Sequence, residues 1–296
     1  MEMKDLLLAN LGRNGHVDTL PIALEFYALY WGKCLSAKTP DCFYRCKYTG
    51  ETIISFNTLA GCMIRMLPDY YDKNKIILSK LKTQEKKLNE IWKAYKKDEK
   101  IVRSTIMESF DKFFELYHSL ANLMPFPFKS GGKSLNQFKG SARFRDFPDQ
   151  FFSAVKSDLY SNFEQDLLFT EWRDYFDIFK TWEDFIELNF LQPFYKENAK
   201  KTYSDWIQLA PSINLRVPWN EPIAKRMNDE DREAAKDYIE VFLINAINII
   251  ENRAILLSKE FEKIHIVTNK KMADEFVGNL RKHIDKVEKR EDEWNK

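Results

Sequence analysis

Apolar residues recur at helical spacing along most of the chain. In the run from 20 to 35 they follow Asp18, and Pro21 stands near the first turn, where helices accept proline. From 72 to 97 and from 101 to 123, apolar positions again fall three or four residues apart, which predicts two further helices. The short connection between them favours an antiparallel pair.

The second half of the chain continues this pattern. Helices are predicted at 147–160, 170–179, 182–195, about 228–261 and from 270 to the C-terminus. Phenylalanine and tryptophan are frequent in the first three, so we expect an aromatic core there. The nearly continuous apolar run from Tyr238 to Ile250 predicts a helix that other helices surround.

One short region has the alternating pattern of strands. DCFYRCKYT precedes Gly50 and ETIISF follows it, and both are rich in β-branched or aromatic residues. They predict a small N-terminal β-hairpin that turns at Gly50. Only 9 glycines and 10 prolines in 296 residues leave few turns for a larger sheet. The predicted fold is therefore mainly α, a single helical domain over residues 1–296.

The overall charge argues against attraction of the whole molecule to nucleic acid or anionic lipid. Lys and Arg number 46 against 45 Asp and Glu, which gives a net charge of +1. The N-terminus lacks the apolar core of a signal peptide, and no run of about 18 apolar residues occurs elsewhere. We therefore expect a cytoplasmic protein without a membrane segment.

The cysteines and most histidines do not indicate a metal site. Structural zinc sites use two closely spaced pairs of ligands, but only Cys42 and Cys46 among the four cysteines are close in sequence. Cys34 and Cys62 lie in apolar helical patterns, where a thiol acts as a small hydrophobic group. We expect no metal, disulfide or cofactor, and only surface or packing roles for the two histidines near the C-terminus.

The densest polar region runs from His118 to Asp146 and reads HSLANLMPFPFKSGGKSLNQFKGSARFRD. The candidate ligand-binding residues are Asn122, Lys129, Lys133, Asn136, Lys139, Arg143 and Arg145, and His118 is the candidate for proton transfer. Lysine and arginine bind phosphates, asparagine gives directional hydrogen bonds, and histidine titrates near neutral pH. Interspersed phenylalanines should hold the segment on the body of the protein. The segment therefore predicts a site for an anionic ligand, either nucleic acid or nucleotide.

A purely structural interpretation of the same residues stays open. Asn122 and Asn136 are suited to cap helix ends or turns, and Gly131-Gly132 to form a tight turn. His118, at the end of an aromatic helix, is equally suited to packing with a hydrogen bond to a carbonyl. A nucleotide-binding P-loop is disfavoured, because Pro127 stands where its first glycine belongs.

Two resemblances bear on this segment. Asn122-Leu123-Met124-Pro125 followed by Leu135-Asn136 is similar to the later half of HNH-type nuclease domains, but the first half, with the catalytic histidine, is missing. The stretch H-x3-N-L-x-P-x-P…L-N-x2-K-G from His118 to Gly140 resembles more closely an uncharacterised bacterial family. That resemblance implies a bacterial cytosolic protein, with a family-like core over 1–200 and C-terminal helices over 201–296. It implies no function.

Three classes of function remain. The first is a non-enzymatic module that binds an anionic ligand through residues 129–145. The second is a hydrolase or nuclease, which requires His118, Asn122 and Asn136 to converge on one cleft. The third is a protein-interaction module that uses the charged C-terminal helices, in which the basic segment is only structural. Oligomeric state is not predicted.

Overall fold

The structure is a computed structural model. It describes residues 1–12, 17–40, 48–55, 59, 104–127, 134–141, 143–144, 146–160, 168–210 and 229–294. The predicted helix at 72–97, Gly131-Gly132 and three of the four cysteines lie outside these ranges. The same is true of three candidate cations, Lys129, Lys133 and Arg145.

The described residues form nine α-helices. They are α1 (Met3–Leu8), α2 (Pro21–Trp31), α3 (Ser104–Leu116), α4 (Leu135–Lys139), α5 (Pro148–Leu159), α6 (Arg173–Phe176), α7 (Trp182–Leu188), α8 (Asp229–Lys263) and α9 (Lys270–Trp294). The helices predicted near 20–35, 147–160, 228–261 and the C-terminus are confirmed. The helix predicted to reach 123 ends instead at Leu116, because a 3₁₀ turn and a strand follow.

A small antiparallel sheet joins β1 (Tyr48–Thr52) to β2 (Leu123–Pro127). Tyr48 lies opposite Pro127 and Thr52 opposite Leu123. The predicted fold class, mainly α with one small two-stranded unit near the N-terminus, is confirmed. The predicted turn at Gly50 is wrong, because this residue is the middle of β1, whose partner strand belongs to the basic segment.

Glycine is required at position 50 by a close approach and not by a turn. A Cβ atom there would lie 1.8 Å from the hydroxyl oxygen of Tyr27, which is buried on α2. A methyl group would therefore force the buried Tyr27 ring to move. The same contact brings the Tyr27 ring next to the following residue, Glu51.

Helix α8 runs through the centre of the described fold. It contacts α1, α3 and the 3₁₀ turn Leu120–Asn122, and α9 contacts α2. Residues 237–267 are long and apolar enough to cross a membrane by length and composition, yet half of their most apolar window is buried inside the fold. Val241 and Ile244 in this run are 53% and 45% exposed, so the prediction that other helices surround the whole run from Tyr238 to Ile250 is wrong.

Local sequence signals place the segment that carries the candidate site. Ser134 caps α4, since its hydroxyl accepts a hydrogen bond from Gln137 N at 3.1 Å while the Gln137 side chain accepts one from Ser134 N at 3.3 Å. Pro148 opens α5 at the first helical position. Between the two helices, Asp146 takes a left-handed backbone conformation with φ of 67°, which aspartate tolerates better than most residues.

Candidate functional site

Lys139 is completely buried beside β1. Its ammonium group donates to the carbonyl oxygens of Thr52 at 3.2 Å and Ile53 at 3.1 Å, and it forms an ion pair with Asp146. The backbone closes the same loop, because Asp146 N donates to Lys139 O at 2.9 Å. The cation therefore fastens α4 to β1, and these partners occupy its three N–H groups.

Asn122 is also buried and fully engaged. Its side-chain oxygen accepts from Ile54 N at 3.0 Å, and its amide donates to Ile54 O at 2.9 Å and Tyr117 O at 2.8 Å. It thus holds both the chain after β1 and the end of α3. This arrangement matches the structural interpretation of Asn122, since no donor or acceptor of its side chain is turned towards solvent.

Asn136 makes the third contact with the same short stretch. Its amide nitrogen donates to a carboxylate oxygen of Glu51 at 2.5 Å. Three predicted site residues, Asn122, Asn136 and Lys139, therefore hold the four consecutive residues from Glu51 to Ile54. We call this arrangement the 51–54 clamp.

Glu51 is the functional candidate that sequence reasoning missed. Its side chain is only partly exposed, and burial raises its pKa to about 8. Asp18 and Asp146 contribute to the increase, while Lys139 and the Asn136 hydrogen bond oppose it. Strongly shifted carboxyl groups are enriched at functional sites, although structural networks also produce them. The available signal was a single acid at the start of ETIISF, which is otherwise uncharged.

His118 lies apart from the clamp contacts. Its Nδ1 atom is 2.9 Å from Gly12 O, and because a carbonyl only accepts, Nδ1 carries the proton. The ring contacts that of Tyr117, with centroids 3.7 Å apart. Burial lowers the His118 pKa to about 4, so the ring is neutral at pH 7. A neutral ring with a hydrogen bond to a carbonyl is what the structural interpretation predicts.

Arg143 is the candidate cation that the structure describes on the surface. Its guanidinium carbon lies 5.7 Å from the centre of the Phe144 ring, within the range of a cation–π contact. Phe144 itself is buried against Phe138, Phe151 and Phe169. The aromatic cluster thus fixes the backbone that presents Arg143.

The candidate residues consequently fall into separate groups. Asn122, Asn136 and Lys139 meet at residues 51–54, His118 binds Gly12, and Arg143 faces solvent. His118, Asn122 and Asn136 each use their hydrogen bonds on a different partner, which is not the shared cleft that the hydrolase interpretation requires. Within the described ranges, no cluster of three or more His, Cys, Asp or Glu residues is arranged to hold a metal ion.

Comparisons of the chain with protein-family models, with curated proteins and with solved structures find no match. The two resemblances drawn from sequence therefore stay predictions.

Proposed function

We propose that this protein binds a phosphate-bearing ligand, nucleic acid or nucleotide, through cations of residues 129–145. The exposed guanidinium of Arg143 on a buried aromatic base is the observation that carries the proposal. Arginine is suited to this role because its planar fork donates two parallel hydrogen bonds to a phosphate group.

The 51–54 clamp supports the proposal because it holds α4 and the start of the loop that contains Arg143 in a fixed position on β1. Lys139 and Asn136 hold α4 on β1, and the Asp146–Lys139 backbone bond closes the loop that contains Arg143. A binding segment that is already ordered loses less conformational entropy when its ligand arrives. On this view Lys139 positions the site, while Lys129, Lys133, Arg143 and Arg145 supply its charge.

The test is a titration of the purified protein with ATP, single-stranded RNA and duplex DNA at two salt concentrations. The Lys133→Ala/Arg143→Ala/Arg145→Ala variant removes three proposed contacts. A matched control, Lys180→Ala/Lys200→Ala/Lys201→Ala, removes three exposed lysines elsewhere. We expect saturable, salt-sensitive binding that the first variant loses and the control keeps. Equal affinity in both variants, or no binding to any probe, would reject the proposal.

A protein-interaction module is the second candidate, because the turn between α8 and α9 exposes two aliphatic side chains. Ile266 and Val267 are each 80% exposed, which is unusual for large apolar residues. An Ile266→Ser/Val267→Ser variant should then lose a partner that the wild-type protein retains, with no effect on phosphate binding. The hydrolase alternative has less support, since its three residues are occupied with separate structural partners.

A further inference from the structure

Glu51 and Asn136 form a side-chain pair whose hydrogen bonding is incomplete if the carboxyl group is ionised. The Asn136 amide nitrogen donates to one Glu51 oxygen. The Asn136 carbonyl oxygen is buried, and no described residue donates a hydrogen bond to it. A carboxylate has no proton to give, whereas a carboxylic acid has one O–H donor. A protonated Glu51 is therefore the better partner for both ends of this amide.

We propose that Glu51 is a proton-operated latch: in its protonated form it holds the Asn136 end of α4 against β1, and loss of the proton releases that end while Lys139 keeps the other end in place. The latch is the outermost contact of the 51–54 clamp, because Glu51 and Asn136 are partly exposed whereas Lys139 and Asn122 are buried. Release at this end requires the movement of a helix of only five residues, Leu135–Lys139.

Each element packed against Glu51 contributes a charged or titratable group that acts on its carboxyl group. Asp18 of the 3₁₀ turn Val17–Thr19 and Asp146 after α4 disfavour a negative charge on Glu51. Lys139 favours one, but it already neutralises Asp146. Tyr27 of α2 faces the same carboxyl group and is itself neutral, since burial raises its pKa. Burial and the two carboxylates outweigh Lys139, which leaves the neutral acid favoured.

The direction of the pH dependence follows from the pKa shift. In the unfolded chain Glu51 loses its proton near pH 4.5, whereas in the folded protein it keeps the proton up to about pH 8. The latch therefore stabilises the fold fully below pH 4.5, and this contribution is lost as the pH rises towards 8. Each pH unit in that interval lowers the folding equilibrium constant by up to about tenfold.

The latch is tested by amide hydrogen exchange of residues 134–141 between pH 6 and pH 9.5, corrected for the intrinsic exchange rate. We expect protection to fall by up to about tenfold for each pH unit between pH 6 and 8, and to change little above pH 8. In Glu51→Gln, which cannot ionise and whose amide can both accept from and donate to Asn136, protection should not depend on pH. Glu171→Gln, on the exposed surface, is the matched control and should behave as wild type.

Equal pH dependence in wild type and Glu51→Gln would overturn the proposal. A second measurement needs no variant: the carboxyl carbon resonance of Glu51 in the native protein should titrate with a midpoint near pH 8. A midpoint below 6 would reject the latch even if Glu51→Gln fails to fold. Weaker phosphate binding above pH 8 is a further consequence that rests on the function proposed above, but neither of these two readouts involves a ligand.

Discussion

Two buried cations each bind the backbone of one strand of the small sheet or of the residues next to it, and their surroundings differ. Lys139 binds the carbonyls of Thr52 and Ile53 beside carboxyl groups. Arg253 of α8 binds the carbonyls of Ala121, Leu123, Asn189 and Phe190, with tyrosines as its nearest titratable neighbours. Burial lowers the Arg253 pKa to about 9, so it stays charged at neutral pH. Both cations stabilise backbone, and the Lys139 side also contains Glu51, whose pKa is raised to about 8.

The number of cations in a segment does not show how many of them can reach a ligand. Lys139 and Arg143 are four residues apart in the same basic segment, yet one is buried and the other exposed. Sequence pattern alone does not separate them, because the difference depends on the carbonyl groups that β1 presents to Lys139. Arg253 is buried and donates its hydrogen bonds to backbone carbonyl groups, so it acts as a structural clamp and not as a ligand site.

The largest expected effect is on the Arg253 side of the sheet. Arg253→Met keeps the length of the side chain but leaves four buried carbonyl groups without a donor. We expect the free energy of unfolding to fall by about 4 kcal/mol at pH 7. Chemical denaturation measures the loss, with Arg173→Met on the exposed surface as control. A loss below about 1 kcal/mol would mean that Arg253 is not a clamp.

An intermediate effect is expected at Asn122. Asn122→Asp still accepts from Ile54 N but cannot donate to Ile54 O or Tyr117 O, and it places a carboxylate among buried groups. The free energy of unfolding should fall by about 3 kcal/mol at pH 7. Below pH 4 the difference should shrink, because a protonated Asp regains one donor. A variant as stable as wild type at pH 7 would contradict the assigned hydrogen bonds.

A smaller effect is expected at His118, whose pKa is lowered whereas the pKa of Glu51, near Lys139, is raised. The pKa of His118 is lowered to about 4, so the unfolded chain takes up a proton before the folded protein does. Stability is therefore lost as the pH falls from about 6.5 to 4, by up to about 1.4 kcal/mol for each pH unit. His118→Asn keeps a donor for Gly12 O and should flatten this part of the stability profile. An unchanged profile in the variant would show that His118 does not cause the acid sensitivity.

Much of the fold was predictable from the sequence, since helices such as α2, α5 and α8 follow apolar periodicity and start signals. The sheet was not, because local alternation around Gly50 cannot reveal that β1 pairs with Leu123–Pro127. That pairing also explains why α3 ends early at Leu116. Glu51 escaped notice for the same reason: its pKa is raised by burial and by Asp18 and Asp146, which only the folded chain brings together.

We infer that Lys139 fastens the basic segment to β1 and does not itself contact the ligand. The most direct test is the free energy of unfolding of Lys139→Met at pH 7, measured beside the exposed control Lys180→Met. We predict a loss of about 3 kcal/mol for Lys139→Met, because two carbonyl groups and Asp146 lose their partner, and under about 0.5 kcal/mol for the control. Equal stability of the two variants would contradict the clamp and return Lys139 to the candidate ligand contacts.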